Sequence, residues 1–425
     1  MKVLIIGSGA REHALTWKAL QSPLTAAVFC APGNAGTAPV AINIDIQATD
    51  IEGIAQFIKE RGIDLTIIGP EAAVAAGLAD RLIADHRLVF GPTKAAGRIE
   101  SSKAFAKSLM ERAGVPTPAF KVFDNPAAAK DYVRGERRAF VVKADGLAQG
   151  KGSLVPKDTE ETLECIDTLM LQRTVGAAAD QIVLEEKLDG REVSLMALVD
   201  GERILPFEPA CDYKRAFDGD KGPNTGGMGG YSPVSFFSSD DVKLAVDRVL
   251  RPVVEAMRED GSPYRGCLYA GLMITSTGPQ VLEFNARFGD PETQIILPRL
   301  QTDLIAVLEA CAGGDLGGVE PAWTNRSSVG VVLASRGYPG TYATGHSIQG
   351  LGTIESGAFV FHAGTAADPS GYVTAGGRVL TVVALGDSMA DARERAYRNA
   401  ERIQFNGVSY RRDLALREIE APVLP

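Results

Sequence analysis

Short apolar runs alternate with longer amphipathic segments over the first hundred residues. The apolar runs are bounded by glycine, proline or polar residues, which is typical of short buried strands. Between them, apolar residues recur at helical spacing. The pattern predicts strands at Val3–Ile6, Ala27–Cys30, Leu65–Ile68 and Leu88–Phe90, and helices at Arg11–Gln21, Ile51–Arg61 and Ala72–Asp85. Alternating strands and helices of this kind predict a parallel, doubly wound sheet.

Three polar turns follow strands of this predicted sheet, at residues 7–12, 31–37 and 69–71. Ligands of doubly wound sheets bind at the carboxyl ends of the strands, where glycine-bearing turns bring backbone N–H groups close to an anion. We therefore expect a phosphorylated sugar here, with Arg11 and the turn amides available to its phosphate. The plainer alternative is that Gly7 and Gly9 only make a tight turn.

A nicotinamide dinucleotide fits the first turn poorly. The turn begins G-x-G, but Glu12 occupies the position of the third glycine in the dinucleotide-binding fingerprint. The acid expected near the end of the second strand is missing from Val28–Pro32. A nicotinamide oxidoreductase is therefore the weakest reading of this region.

The second part of the chain begins with a predicted helix at Ser101–Gly114 and a linker at residues 115–118. After a strand at Phe140–Lys143 comes a glycine-rich segment, residues 144–153, whose spacing does not match a P-loop. We interpret it as a hairpin that folds over phosphates, with Lys143 and Lys151 supplying charge and Gly150 and Gly152 allowing close approach. A mobile surface hairpin with solvated lysines is the alternative.

Two further segments have the chemistry of binding sites. A strand end followed by Glu185–Glu192 is suited to a nucleoside: backbone groups near Glu185 and Glu186 can pair with an adenine edge. Leu188 can pack on the base, and Glu192 can accept hydrogen bonds from ribose hydroxyls.

A loop with five glycines, residues 221–233, follows Asp212 and Lys214. So many glycines are unfavourable for backbone entropy, so such a loop is usually either flexible or shaped around a ligand. Its free amides and the basic residue before it favour a carboxylate substrate. The residues expected to contact that substrate are Asn224, Thr225, Gly226, Gly227 and Met228.

The segment Gln280–Thr293 carries the strongest metal signal. Strand alternation places Glu283 and Asn285 on one face, where a carboxylate and an amide oxygen suit Mg²⁺, which takes few protein ligands. Arg287 could hold phosphate or carboxylate oxygens with two parallel hydrogen bonds. Taken alone, the segment could equally be an edge strand with a solvated polar face.

Composition narrows the class of protein. The chain has 425 residues and a net charge of −9, which predicts several domains and argues against a nucleic-acid surface. No apolar run is long enough to span a membrane. Five scattered cysteines without a C-x-x-C pair indicate reduced thiols in a cytoplasmic protein. Beyond about residue 327, strands are predicted at Val329–Leu333, Ala358–Ala363 and Val379–Leu385, and a helix at Ser388–Gln404.

The glycine flap, the nucleoside edge and the E-x-N strand occur in the order that resembles the ATP-grasp superfamily. Within it, the chain is similar to the glycinamide ribonucleotide synthetase family over essentially its whole length. The motifs that carry this resemblance are GSGAREH (7–13), APGNAGT (31–37), GPE (69–71), KADGLAQGKG (143–152), KGPNTGGMGGYSP (221–233), LYAGLMI (268–274), LEFNARFGDPET (282–293), RGYPG (336–340), FHAGT (361–365) and TAGGRVL (374–380).

The resemblance implies an ATP-dependent ligase that joins glycine to 5-phosphoribosylamine through glycyl phosphate in de novo purine synthesis. It implies an N-terminal sugar-phosphate domain (1–101), an ATP-grasp core (102–122 and 193–326), an inserted ATP-binding flap (123–192) and a small α+β C-terminal domain (327–425). The expected fold is thus α/β and α+β, multidomain. The expected partners are glycine, phosphoribosylamine and ATP with Mg²⁺ or Mn²⁺. Neither nucleic acid nor membrane is expected as a partner, and a monomer is expected.

Residue roles are carried over from the family motif by motif. Glu283 and Asn285 would hold the metal, Lys103 would join Lys143 and Lys151 at the phosphates, and Arg287 would steady the acyl phosphate. Together with Lys143 and Arg287, Asp212 and Lys214 are assigned to catalysis. The remaining substrate contacts are assigned to Gly9, Arg11, Glu12, Gly33, Asn34, Pro70, Glu71, Asp290 and Glu292.

The sequence departs from the family pattern at Ser8, Ala10 and Gln149, all in loops. Many ATP-grasp sites also have a second metal-binding acid on the preceding strand, and Leu268–Ile274 contains none. Two alternatives remain open: an ATP-grasp ligase for another acid or amine, and a nucleotide-binding regulator with an inactive site.

Overall fold

Four larger sheets carry the fold in a computed structural model that describes residues 1–148, 150–369 and 371–420. The N-terminal sheet confirms the predicted doubly wound arrangement, because its five strands are all parallel. Their spatial order is Ile42–Asn43, Ala27–Pro32, Lys2–Gly7, Leu65–Ile68, Val89–Phe90. The order reverses between Lys2–Gly7 and Leu65–Ile68, so the turns that follow these two strands open at the same point of the sheet edge.

The helices of this region differ from prediction at one place. Ala10–Ala19 and Ile51–Arg61 are helical as expected. The helix predicted over residues 72–85 is instead two helices, Glu71–Ala76 and Leu78–Ala84. Gly77 separates them with a φ of 91°, a left-handed conformation that glycine adopts without a steric penalty.

The flap sheet is antiparallel and has its own small core. Its strands, in spatial order, are Phe120–Phe123, Ile182–Glu186, Phe140–Ala144 and Ser153–Leu154. Helices Pro126–Glu136 and Thr159–Ile166 supply apolar side chains to a buried cluster around Phe140. The glycine-rich segment is confirmed as a hairpin, since Lys143 lies opposite Ser153 across the two strands that it joins.

The central sheet contains the predicted metal strand at one edge. Its antiparallel strands are Ile204–Pro206, Arg191–Asp200, Arg265–Thr275 and Gly278–Asn285. The register shifts by one residue at Leu282, so Val281 and Phe284 are both buried although they are three apart. Glu283 and Asn285 are thereby left facing away from the core.

The C-terminal sheet crosses the boundary expected at residue 327. Its strands are Cys211–Asp212, Gly229–Ser232, Ser327–Ser335, Arg378–Gly386 and Ala358–His362, and Val408–Ser409 also pairs with Ser327–Ser335. The first two of these come from the segment assigned to the ATP-grasp core. Helix Met389–Ala400 covers the sheet.

Shorter elements connect these sheets. The remaining α-helices are Arg98–Ser101, Lys103–Arg112, Ser239–Ala245, Arg251–Glu259, Glu292–Ile296, Leu304–Gly313 and Leu416–Glu420. Two small ladders pair Arg215–Phe217 with Lys221–Asn224, and Gly371–Thr374 with Ser347–Ile348 and Thr365–Asp368. Within the described ranges, no helix is both long enough and apolar enough to cross a membrane.

Two buried histidines join the first helix to the C-terminal sheet. His13 Nδ1 accepts a hydrogen bond of 2.9 Å from the backbone N–H of His362, and His362 Nδ1 lies 3.0 Å from Thr365 Oγ1. Burial, followed by the charge of His362, lowers the pKa of His13 from 6.5 to about 3. Burial lowers the pKa of His362 to about 4. Both rings are therefore neutral in the folded protein at neutral pH.

This junction predicts a loss of stability in mild acid. Below pH 6.5 the unfolded chain binds protons at both imidazoles while the folded chain does not, so stability falls as the pH is lowered. We expect these two groups to lower the free energy of unfolding by about 2–3 kcal/mol between pH 7.5 and 5.5. Urea denaturation at both pH values measures it. The double variant His13→Asn/His362→Asn should lose less stability over the same interval, and an unchanged pH dependence would contradict the assignment.

Candidate active site

One cavity of about 1080 Å³ brings together the N-terminal turns, the flap, the metal strand and the C-terminal region. Its volume is ample for a nucleotide and a second small molecule. The sequence-predicted site residues that line it are Gly9, Arg11, Glu12, Pro70, Glu71, Lys103, Lys143, Gly150, Lys151, Gly152, Glu185, Glu186, Leu188, Glu192, Asp212, Lys214, Asn224, Thr225, Gly226, Glu283, Asn285, Arg287, Asp290 and Glu292. Four others, Gly33, Asn34, Gly227 and Met228, do not line it.

Glu283 is surrounded by positive charge. Its Oε1 atom lies 3.4 Å from Lys214 Nζ, and the same lysine lies 3.5 Å from Glu192 Oε2. Burial alone would raise the pKa of Glu283, but Lys214, Lys143 and Lys103 lower it to about 2. The carboxylate is therefore ionised at every physiological pH and can act as an anionic metal ligand.

The flap lysine is held by a buried carboxylate. Lys143 Nζ lies 2.9 Å from Glu185 Oε2 and donates a hydrogen bond of 2.8 Å to Leu282 O on the metal strand. Lys107 pairs with the other oxygen of Glu185 at 3.2 Å. The side chain of Glu185 thus fixes two lysines, a role that the sequence pattern did not predict.

Lys103 is placed by the start of its helix. That helix begins two residues later than predicted, because Ser102 Oγ caps it by accepting a hydrogen bond of 3.1 Å from Phe105 N. Asp145 of the flap accepts a bond of 2.7 Å from Ala104 N at the same helix end. Burial lowers the pKa of the Lys103 ammonium. Gln149, at the departure from the family pattern noted above, lies outside the described residues.

Arg287 is fixed by four groups. Its Nη2 atom lies 3.1 Å from Asn285 Oδ1 and 3.1 Å from Glu100 Oε1. Its Nε atom lies 3.5 Å from Glu71 Oε2, and Nη1 donates to Phe288 O at 3.1 Å. The guanidinium is consequently held in one orientation at the cavity wall.

Asp212 has the environment of a cation-binding carboxylate. Its Oδ1 atom is buried and has no hydrogen-bond partner among the described residues. Burial, followed by the charge of Glu292, raises the pKa of the Asp212 carboxyl well above its usual range. Glu292 is buried nearby, where its Oε1 accepts hydrogen bonds from Ser194 at 3.0 Å and Tyr269 at 2.7 Å. A cationic group bound beside Asp212 would restore its charged form.

The first turn is partly filled by its own acid. Glu12 Oε2 accepts a hydrogen bond of 2.6 Å from Gly9 N, and Glu12 Oε1 accepts one of 2.6 Å from Arg11 Nε. A methyl group added at Gly69 would lie 2.1 Å from Glu12 Oε1. Gly9 N and Arg11 Nε are thus already hydrogen-bonded to Glu12, and the predicted contacts of Arg11 and the turn amides with a sugar phosphate stay a prediction.

The side chain of Asn34, next to Gly33, is hydrogen-bonded through both of its polar atoms. Asn34 Nδ2 donates to His362 O at 2.7 Å and to Ser8 O at 2.9 Å, while its Oδ1 accepts from Gly36 N at 2.8 Å. The side chain thus ties the first two turns to the C-terminal sheet. Both polar atoms of the Asn34 side chain are thus already paired inside the protein, and its predicted contact with the substrate stays a prediction.

The glycines of residues 221–233 serve different purposes. Met228 is 2% exposed, so its side chain belongs to the core. A methyl group on Gly229 would lie 2.3 Å from Gly330 O, so this glycine allows two strands to pack. A methyl group on Gly227 would lie 2.4 Å from Pro291 and 2.8 Å from Asp212 Oδ1. Of the five glycines of this segment only Gly226 lines the cavity, together with Asn224, Thr225 and Tyr231.

Several lining residues were missed by the sequence reasoning. Glu100 directly precedes the predicted helix at Ser101–Gly114, and Lys107 lies within it. Tyr338, Tyr342 and Arg378 come from the C-terminal region. Tyr338 and Arg378 lie in RGYPG and TAGGRVL, two motifs that had been noted without a role. The presence of these two motifs among those that carry the family resemblance was the signal that could have indicated a role for Tyr338 and Arg378.

Glu283 and Asn285 fit a divalent cation whose other ligands are phosphate and water oxygens. Within the described ranges, no three His, Cys, Asp or Glu side chains cluster closely enough to hold a metal ion by themselves. Glu283 is ionised, and Asn285 Oδ1 keeps a second lone pair beyond its bond to Arg287. These two donors suit Mg²⁺, which takes phosphate and water oxygens for the rest of its octahedron.

Comparison with known proteins agrees over the whole chain. Residues 1–100, 101–293 and 328–417 match the family models for the N domain, the ATP-grasp (A) domain and the C domain of phosphoribosylglycinamide synthetase. A phosphoribosylamine–glycine ligase of Vibrio cholerae is 47% identical over 423 residues, which is 99% of either chain. The crystal structure of phosphoribosylamine–glycine ligase from Thermotoga maritima superposes with a TM-score of 0.85 at 35% identity, covering 98% of this chain and 100% of that one.

More distant similarity concerns the fold alone. The biotin carboxylase domain of 2-oxoglutarate carboxylase from Hydrogenobacter thermophilus, solved with MgADP, gives a TM-score of 0.73 at 16% identity, covering 96% of this chain and 91% of that one. The resemblance inferred from the motifs is thus confirmed. The chain belongs to the phosphoribosylglycinamide synthetase family.

Proposed function

We propose that the protein joins glycine to 5-phosphoribosylamine and converts ATP to ADP and phosphate, giving glycinamide ribonucleotide in de novo purine synthesis. The observation that carries this proposal is one cavity lined both by Glu283 among three lysines and by Asp212, whose Oδ1 atom has no hydrogen-bond partner among the described residues. The full-length similarity to phosphoribosylamine–glycine ligases supports the choice of substrates.

The residues suggest how the chain activates the acid. Transfer of the terminal phosphoryl group to the glycine carboxylate forms glycyl phosphate and releases ADP. Such a transfer depends on positioning and charge neutralisation more than on a strong base. In this proposal Lys143, Lys151 and Lys103 hold the phosphates, and Arg287 steadies charge on the acyl phosphate. A divalent cation held by Glu283 and Asn285 would supply further charge neutralisation.

The second half-reaction forms the amide bond. The amine of phosphoribosylamine attacks the glycyl carbonyl, phosphate leaves with the C–O bond electrons, and the attacking nitrogen loses a proton. Asp212 and Glu292 are suited to the glycine ammonium, which would relieve the unfavourable proximity of two buried acids. Exclusion of water by the flap would protect the acyl phosphate from hydrolysis.

The finer assignments belong to the same proposal. We propose domains at 1–101, 102–122 with 193–326, 123–192 and 327–425, a monomeric state, a cytoplasmic location, and Mg²⁺ or Mn²⁺ as the ion. The absence of paired cysteines from the described residues supports a reducing compartment. The net charge of −9 argues against nucleic acid as a partner.

Release of ADP tests the proposed reaction. Purified protein with ATP and Mg²⁺ should form ADP only when glycine and phosphoribosylamine are both present, with one amide formed per ADP. Turnover with another acid or amine and not with this pair would indicate a different ATP-grasp ligase. Nucleotide binding by calorimetry without any turnover would indicate a regulator.

A further inference from the structure

Two side chains of the C-terminal region hold the backbone of a single residue, Gly226, in the glycine-rich loop of residues 221–233. Arg378 Nη1 donates a hydrogen bond of 2.7 Å to Gly226 O, and Gly226 N donates one of 3.0 Å to Tyr338 OH. A methyl group on Gly226 would lie 3.1 Å from Arg378 Cζ, so the guanidinium lies against the loop backbone itself. Both backbone polar groups of Gly226 are therefore hydrogen-bonded to residues more than a hundred positions away.

Arg378 also connects the loop to the metal strand's turn. Its Nη1 atom lies 2.9 Å from Asp290 O and 3.2 Å from Asp290 Oδ1. One guanidinium thus fixes Gly226 relative to Asp290, only two residues from Glu292. The turn that carries Arg378 is itself braced, because Ser335 N donates to Gly377 O at 2.8 Å and Ser335 Oγ donates to Gly376 O at 2.9 Å.

The backbone around Gly226 borders both the flap and the predicted amino-acid site. A methyl group on Gly150 of the flap would lie 3.2 Å from Thr225 O and 3.3 Å from Gly226 N. On the other side, Thr225 N donates to Lys214 O at 2.7 Å, and Gly227 stands against Asp212 Oδ1. A shift of the Gly226 backbone would therefore displace the part of the cavity wall that lies next to Lys214 and Asp212.

We propose that Tyr338 and Arg378 are positioning residues, which hold the backbone of Gly226 in the conformation that accepts the amino acid. The C-terminal region would thereby set the affinity for glycine. This inference rests on the proposed function. Neither residue is assigned a contact with the reacting atoms. In the proposed function ATP binds to the flap and the metal strand, so loss of these hydrogen bonds to Gly226 should weaken glycine binding and leave ATP binding nearly unchanged.

Steady-state kinetics with each substrate varied in turn tests this. Arg378→Ala removes a charged donor and should raise KM for glycine about ten- to a hundredfold, while Tyr338→Phe removes a neutral acceptor and should raise it about three- to tenfold. Arg378→Lys, which keeps the charge beside Asp290, should recover part of the loss. KM for ATP should stay within about twofold. Tyr410→Phe and Arg395→Ala, outside the cavity in the same region, are the matched controls.

The outcomes separate the inference from the function on which it rests. A glycine KM that stays within twofold of wild type in both Arg378→Ala and Tyr338→Phe would overturn the inference, as would an equal rise of KM for ATP. If Arg378→Ala does not fold, Arg378→Lys and Tyr338→Phe carry the same test, with the thermal midpoint measured alongside. A wild-type protein that forms no ADP with glycine and phosphoribosylamine would overturn the proposed function instead.

Discussion

Glu283→Gln should abolish amide synthesis, with kcat falling about a thousandfold. The substitution keeps the size of the side chain and removes its charge. Lys214, Lys143 and Lys103 together lower the pKa of Glu283 to about 2 against the opposing effect of burial, so the native group is an anion throughout the working range. Without it, the site loses the only anionic protein ligand proposed for the metal, and three cations face each other without their common partner.

ADP release with saturating glycine and phosphoribosylamine measures this loss, and far-UV circular dichroism with urea denaturation establishes that the variant is folded. Glu259→Gln, at the exposed end of a helix, is the matched control and should keep wild-type activity. If Glu283 binds metal, the Mg²⁺ concentration for half-maximal activity should also rise. Retention of more than a tenth of the wild-type kcat would contradict the metal assignment.

The parts of the fold that could be predicted are those fixed by local pattern. Strands Val3–Ile6 and Leu65–Ile68 are buried throughout and, apart from Thr66, apolar, because both faces of a parallel sheet are covered. This pattern is visible in a short stretch of sequence. The flap hairpin could be predicted because glycines and lysines recur between two apolar runs. Glu283 and Asn285 line the cavity on the face opposite to buried Phe284, as strand alternation predicts, whereas the bulge at Leu282 just before them could not be predicted.

What could not be predicted depends on contacts between distant residues. Nothing near Asn34 in the sequence indicates that its amide bonds to His362, and nothing near Gly226 indicates Arg378. Glycine is ambiguous for the same reason. Gly229 lets two strands pack and Gly226 borders the site, but the loop sequence gives both the same appearance. Only the tertiary structure separates a glycine needed for packing from one needed for a ligand.

Arg287→Lys should lower kcat about a hundredfold and change KM for ATP by less than about threefold. The native guanidinium uses three nitrogens on four partners: Asn285, Phe288 O, Glu71 and Glu100. An ammonium group has no planar fork and cannot contact the two acids and Asn285 in that geometry. Lysine is preferred to alanine here because it leaves a positive charge beside Glu71 and Glu100, so the fold is less disturbed.

Hydroxylamine distinguishes which half-reaction depends on Arg287, because it attacks glycyl phosphate and gives glycine hydroxamate without phosphoribosylamine. If Arg287 steadies the charge that develops on the acyl phosphate, hydroxamate formation should fall by the same factor as kcat. Arg248→Lys, on an exposed helix surface, is the control for the substitution. Normal hydroxamate formation combined with slow amide formation would instead place Arg287 in the attack by the amine. In that case the ion pairs of Arg287 with Glu71 and Glu100 would serve chiefly to orient the sugar. Glu71 lies in the turn after Leu65–Ile68, and Glu100 lies in the helix that precedes Lys103, so both pairs link the metal strand to neighbouring elements.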